Sequence, residues 1–207
     1  MKQKIQISTW SRRAHFSFYQ KFEEPFYGIC VDIDCHKAYQ WTKEHDRSFF
    51  LFYLHKAITA INKLEAFRYR IEDGAVYLYD KIDVGTTVNR TDGSFGFCYF
   101  PYYADFDTFE KTAFAEIQKV KDRKDLLEDE HRQDLAHFSS LPWIKFTALS
   151  HARHFPKRES IPKITFGKLF LHAGRRHMPF SIHVHHGFVD GRHLGEYLDL
   201  FQALMNQ

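Results

Sequence analysis

The stretch SIHVHHGFVDGRHLGEY, residues 181–197, decides how this chain is read. Its start continues a strand over residues 179–185, where side chains alternate between faces, so His183 and His185 share one face and His186 takes the other. A turn follows. Asp190 and Gly191 then stand just before a helix whose apolar stripe is Leu194, Tyr197, Leu198, Phe201, Leu204 and Met205. His186 and Asp190 thus form an H-x-x-x-D-G pattern at a strand-to-helix junction. A rigid strand end positions a side chain and the turn exposes it, which suits a general base. An imidazole near its ordinary pKa is the natural choice for that task at neutral pH.

Outward from this junction, strands and helices mix without strict alternation. Residues 26–34 (FYGICVDID) read as a strand, followed by a short helix around 35–44. Ser48 is a plausible N-cap for a stronger helix, in which Phe50, Leu54, Ala57, Ile58, Ile61 and Leu64 recur at helical spacing. Residues 67–72 and 75–80 read as two strands joined by Asp73-Gly74, a strong hairpin signal. Residues 84–89 and 95–100 are further strands. Asp105 or Asp107 opens a helix striped by Phe106, Phe109, Ala113, Ile117 and Val120, which runs into the mixed-sign segment 121–134, read as a solvated helix face. Three late strands are expected at 143–149, 163–171 and 179–185. The order favours an α+β fold: a two-layer sandwich of one mixed, mainly antiparallel sheet against helices, in a single domain over residues 1–207.

Composition narrows the function. A hydrophobic fraction of 44% supports a sizeable core, and 22 Phe and 11 Tyr are unusually many. With 29 basic against 26 acidic residues, the excess positive charge expected of a nucleic-acid binder is missing. No apolar run reaches the about 18 residues of a membrane-spanning helix, and the first ten residues, MKQKIQISTW, carry no signal-peptide core. Cys30, Cys35 and Cys98 are an odd, unclustered set, read as reduced thiols of a cytoplasmic protein. The 14 His are the second oddity. His183 and His185 on one strand face offer two metal ligands, but no third ligand stands at a convincing spacing, and no metal is expected. No Ser or Cys nucleophile with a partner base is evident. Asp190 can orient the imidazole of His186 or brace the loop through a cation elsewhere. The spacing leaves both open.

The C-terminal motif resembles the signature of the chloramphenicol acetyltransferase family, and other blocks agree in order. Trp10-Ser-Arg12-Arg13-Ala-His15-Phe16 resembles the family's W-x-R-x-x-H-F. Phe67-Arg68-Tyr-Arg70-Ile-Glu-Asp73-Gly74 resembles F-R-x-R-x-x-D-G. Pro142-Trp143-Ile-Lys-Phe146 resembles P-W-x-x-F, and Pro162-Lys-Ile164-Thr165-Phe-Gly167-Lys168 resembles P-x-x-T-x-G-K. The blocks span residues 10–200, and together they are far more specific than any one of them.

The resemblance implies an acetyl-CoA-dependent O-acetyltransferase, a homotrimer with active sites between subunits, acting on chloramphenicol or a similar small alcohol. His186 would be the general base, with direct attack on the thioester and no acyl-enzyme. Asp190 would pair with Arg12 and hold the catalytic loop. Thr165 would help bind the reacting groups through water, Lys168 would lie near the coenzyme phosphates, Phe95 would line the pocket, and Phe26 and Tyr27 would sit on the strand facing the acceptor. One departure concerns the oxyanion. Where the family usually has a Ser hydroxyl after P-W-x-x-F, this chain has Ala148, which has no donor. Thr147 or a water would then supply it, although strand alternation counts against Thr147. The family also commonly has Gln where His183 stands. Alternatives to the acetyl transfer to chloramphenicol are another acceptor and a small-ligand-binding protein of little catalytic power.

Overall fold

The computed structural model describes residues 1–126, 132–153 and 159–207. Its elements follow the chain as β1 (Lys2–Lys4), α1 (Arg13–Tyr19), β2 (Phe26–Asp34), α2 (His36–Glu44), α3 (Phe49–Lys63), β3 (Tyr69–Glu72), β4 (Ala75–Tyr79), β5 (Asp83–Asn89), β6 (Phe95–Phe100), α4 (Phe106–Lys121), β7 (Leu135–Ser140), β8 (Lys163–Phe166), β9 (Phe170–His172), β10 (Arg175–His185) and α5 (Gly191–Met205). Among the described residues, a seven-stranded sheet runs β2-β10-β8-β7-β5-β6, with β9 paired to β10, and a three-stranded sheet runs β1-β4-β3. The pairings β5–β7 and β7–β8 are parallel, and the others in both sheets are antiparallel. This is the expected α+β sandwich.

Alternation along each strand sorts the large sheet into two unlike faces. Toward the helices point Val84, Ala136, Phe138, Ile164, Phe166, Phe180, Ile182 and Val184, all within the apolar core. Helices α3, α4 and α5 bury Leu54, Ile58, Phe109, Tyr197 and Phe201 there. Rings of Phe180 and Phe201 sit 5.3 Å apart, and those of Phe67 and Tyr197 5.0 Å. Each such side chain contributes about 1.5–3 kcal/mol by leaving water. The caps are as the sequence suggests: Ser48 Oγ accepts from Leu51 N at 3.3 Å, and Asp105 accepts from Thr108 N at 2.8 Å.

The opposite face is polar, and register gives it two rows. One reads Gly28, His183, Lys163, His137, Gly85 and Tyr99 across five pairings, and the other contains Cys30, Ser181, Thr165 and Ser139. In the first row, Gly28 lies beside the ring of His183, and Gly85 lies between those of His137 and Tyr99. A Cβ on Gly28 would fall 2.3 Å from the His183 ring, and one on Gly85 would fall 3.2 Å from both His137 and Tyr99. Both rings can lie against the sheet because those side chains are missing.

Three expected elements are corrected. Residues 143–149 form no strand: Trp143 is 65% exposed, and the segment lies in turns and irregular backbone. The strand is instead β7, just before Pro142, where Leu135, Ala136 and Phe138 are buried and the chain pairs with β5 and β8. The strand expected over 163–171 is two, β8 and β9. Between them the backbone of Gly167 packs so closely that a Cβ would meet the Ile144 carbonyl at 3.0 Å. Helix α4 ends at Lys121, and residues 127–131 of the mixed-sign segment lie outside the described residues.

The small sheet is tied to the large one by Arg70, which is 0% exposed. Its guanidinium donates to the carbonyls of Phe67 (2.9 Å), Tyr69 (2.8 Å), Gln133 (2.8 Å) and Leu135 (2.6 Å). Burial lowers its pKa to about 9, which still leaves it charged at neutral pH. Each carbonyl left unpaired in the interior costs about 1–3 kcal/mol. Arg70→Met is therefore expected to destabilise the chain by at least about 3 kcal/mol, read as a lowered midpoint in urea denaturation, whereas Arg68→Met, at a half-buried position, should shift it less.

Candidate active site

His186 follows directly on β10, and its backbone N donates to the Pro25 carbonyl at 2.9 Å. Its ring is held between two tyrosines. Tyr19 stacks on one side with centroids 4.1 Å apart and planes at 9°, and Tyr27 covers it at 4.2 Å and 31°. The His186 Nδ1 atom is buried without a hydrogen-bond partner, while the residue as a whole stays partly exposed. The accessible part of the ring is therefore not its Nδ1 edge. Tyr27 Oη is likewise buried and unpartnered. Burial first, then the charges of Asp190 and Tyr19 against that of Arg12, push its phenol up to about 12, so it stays neutral.

The turn after His186 is braced from the N-terminal segment. Arg12 Nη1 meets Asp190 Oδ2 at 3.0 Å, and Arg12 Nε donates to the Gly187 carbonyl at 3.3 Å. The other Asp190 oxygen caps α5, accepting from Arg192 N (3.1 Å) and His193 N (3.4 Å), while His193 Nδ1 accepts from Asp190 N at 3.2 Å. A carboxylate at a helix N-terminus also answers the helix dipole. Burial would raise the Asp190 carboxyl. The hydrogen bond and charge of Arg12, the charge of His193 and the backbone N–H outweigh it and hold the group at about 2. Of the two readings left open by the spacing, the geometry contains the brace: Asp190 does not touch the His186 ring.

His185, the neighbour, is buried among Phe16, Phe26 and Phe188. Its Nδ1 accepts from Gly187 N at 3.1 Å. Burial, then the Arg153 charge, lowers its pKa to about 4. It is an uncharged packing residue.

The residues expected to meet substrates fall in different places. Phe26 lies under the Arg153 guanidinium, 3.5 Å from the ring centroid, and Tyr27 faces His186, not open pocket. Phe95, on β6, is 45% exposed and lines a cavity of about 1320 Å³ on the polar sheet face, with Thr86, His137, Ser139, His151 and Lys163. Thr165, 1% exposed, projects onto that face, its Oγ1 3.4 Å from His151 Nε2. Thr147 and Ala148 are exposed and outside the cavity lining. Since residues 143–149 form no strand, alternation says nothing about Thr147. Lys168 is exposed after β8, its backbone N bonded to the Ile144 carbonyl at 2.9 Å. His186, Arg12 and Asp190 do not line the large cavity.

Sequence reasoning missed Tyr19, His137, His151 and Lys163. A signal for Tyr19 existed: Arg12, Phe16 and Tyr19 stand at helical i, i+4, i+7 spacing beside the N-terminal block. For the others it did not: His137 and Lys163 meet only through the pairing of β7 with β8, and His151, on irregular chain, reaches Thr165 only through the tertiary fold.

The chain is similar to known proteins over nearly its whole length. A family profile described as chloramphenicol acetyltransferase matches residues 2–202. The chloramphenicol acetyltransferase of Proteus mirabilis is 25% identical over 204 residues, covering 98% of this chain and 94% of that protein. Chloramphenicol acetyltransferase 3 of Escherichia coli is 25% identical over 206 residues, covering 98% and 96%. A solved structure of a chloramphenicol acetyltransferase superposes with a TM-score of 0.93 at 33% identity, over 99% of this chain and 100% of that one. A dihydrolipoamide acetyltransferase of Azotobacter vinelandii shares the fold at a TM-score of 0.72 and 16% identity, over 94% of this chain and 86% of that one.

The Arg12–Asp190 pair has a stability signature. A depressed carboxyl pKa contributes stability that is present above the ordinary value of 3.8 and lost as pH falls through about 2. Asp190→Asn keeps a helix cap but removes the charge. Because both partners retain some solvent, its expected cost at pH 7 is only about 1 kcal/mol, and the gap to the parent should close between pH 4 and pH 2, as thermal unfolding at a series of pH values would record.

Proposed function

The chain belongs to the chloramphenicol acetyltransferase family, and from that membership we propose that it is an acetyl-CoA-dependent O-acetyltransferase acting on chloramphenicol or a similar small alcohol. The observation that carries the reading is the His186 ring, fixed between Tyr19 and Tyr27 with its Nδ1 edge inward, on a turn anchored by Arg12 and Asp190. For Nε2 to act as a base, the ring proton must reside on Nδ1. Nε2 then takes the proton of the acceptor hydroxyl while that oxygen attacks the thioester carbonyl. Collapse of the tetrahedral intermediate expels the coenzyme thiolate, which regains the proton from His186, so no acyl-enzyme is formed. Positioning of this kind accounts for a large part of a rate, because a loose base loses the aligned geometry.

In this proposal residues 1–207 are one acyltransferase domain. Thr165, Phe95, Phe26 and Tyr27 bear on the acceptor, Tyr27 by holding the base, whereas Thr147, exposed and outside the cavity lining, is given no part in it. Lys168, exposed after β8, is a point charge for the coenzyme phosphates. No metal takes part. The assembly is a homotrimer with sites between subunits. Its support is that the base does not line its own chain's large cavity, so a second copy is what would bring His186 to an acceptor bound there. No helix of the described residues is long and apolar enough to cross a membrane, and a cytoplasmic location fits the reduced thiols. A second reading, small-ligand binding with weak catalysis or transfer to another acceptor, is favoured by Ala148, which has no donor where the family's hydroxyl is expected.

Thiol release from acetyl-CoA, with and without chloramphenicol and a panel of other alcohols, separates these readings. Acceptor-dependent release that His186→Ala lowers by about 10²–10⁴-fold is expected; binding without release supports the second reading, and release that survives His186→Ala removes the mechanism. Light scattering after size exclusion is expected to give three times the 24.7 kDa chain mass, and a fully active monomer would reject the shared site.

A further inference from the structure

Direct attack places negative charge on the thioester oxygen, and a preorganised donor at that point is usually the largest single contribution to rate. Ala148 cannot donate, and Thr147 beside it is exposed and outside the cavity lining. Resting on the acetyl-transfer reading above, we propose that His151 is a catalytic residue: its imidazole N–H, together with the Thr165 hydroxyl, receives the oxyanion.

Four observations carry this. His151 lines the large cavity on the polar sheet face, so its polar edge can meet a ligand there. Its Nε2 stands 3.4 Å from Thr165 Oγ1, longer than a well-formed hydrogen bond between such groups. The two are slack partners, and an oxygen arriving beside them can draw on both. The ring is supported: His183 meets it edge-on with centroids 5.0 Å apart and planes at 89°, and His183 itself lies flat where Gly28 leaves room. Finally, burial, and then the charges of His183, Lys163 and Arg153, lower the His151 pKa to about 4. At neutral pH the ring is uncharged and a poor base, yet keeps one N–H to donate.

The step balances. The acceptor O–H bond breaks and its proton goes to His186 Nε2, while the oxygen lone pair forms the new C–O bond. The carbonyl π pair moves onto oxygen, held by His151 and Thr165. The pair then returns, the C–S bond breaks, and the thiolate takes the proton from His186.

The test uses the full chain, acetyl-CoA, and chloramphenicol or the best alcohol of the panel. His151→Ala should lower kcat by about a hundredfold with KM for both substrates changed only a few-fold. His151→Gln, which keeps an N–H donor, should lose less. Melting curves check that each variant folds, and if His151→Ala does not, the comparison of parent and His151→Gln replaces it. An unchanged kcat in His151→Ala, or a loss confined to acceptor KM, overturns the assignment. Parent turnover that depends on His186 but not on His151 overturns this inference alone; parent protein with no His186-dependent turnover overturns the acetyl-transfer reading and the inference with it.

Discussion

One carboxylate, that of Asp190, joins the two ends of the chain. One oxygen caps α5, and the other meets Arg12, 178 residues away. As stability terms these are modest: an N-cap is worth about 1 kcal/mol, and a partly solvated ion pair no more than that. Their consequence is geometric. Helix α5 cannot slide along the core, since Tyr197 and Phe201 are fully buried and Tyr197 Oη donates to the Ala57 carbonyl at 3.2 Å. Strand β10 is fixed by pairing on both sides. The residues between strand and helix span a fixed gap, and Arg12, bound to both Asp190 and the Gly187 carbonyl, selects one path through it. That path sets His186 against Tyr19, which α1 carries seven residues after Arg12.

The large sheet depends on the same economy of constraint. Its central strands β5, β7 and β8 are parallel, an arrangement that needs cover on both faces. The helices cover one face with apolar side chains. The other has Thr165 and Ser181 nearly fully buried beneath irregular chain, with His137, Lys163 and His183 beside them. Lys163 reaches Glu159 at 2.6 Å, and Arg153 pairs with Glu24. Charge on this face is thus compensated locally, which leaves hydrogen-bonding capacity and not net charge as its main property.

Legibility followed locality. Helices α3, α4 and α5 were readable because their stripes and caps lie within one segment, and the Asp73-Gly74 turn adopts the positive φ angles (49° and 77°) that its residue types permit. Strand β7 was not, because LAHFSS alternates weakly and owes its place to partners 52 and 26 residues distant. Residues 143–149 alternate more convincingly and yet pair with nothing, since alternation records amphipathicity and not a partner. In the site, the Arg12–Asp190 contact was within reach of the motifs, as was the pairing of strand and helix around His186. The row His183–Lys163–His137 was not, since it exists only after three strands from distant parts of the chain are set in register.

The histidines illustrate what register adds to composition. An excess of imidazoles near a reaction would be a liability if each competed for the proton being moved. Burial prevents that on the polar face: His137 falls to about 3 and His151 to about 4, in both cases with Lys163 as an added repulsion, and His185 to about 4 on the other side of the motif. Imidazoles so weakly basic do not take a proton from an alcohol at neutral pH, but they remain donors and acceptors of hydrogen bonds. The ring of His186 lies between those of Tyr19 and Tyr27. In the proposed mechanism it is the ring that accepts the proton, while these weakly basic imidazoles orient polar groups.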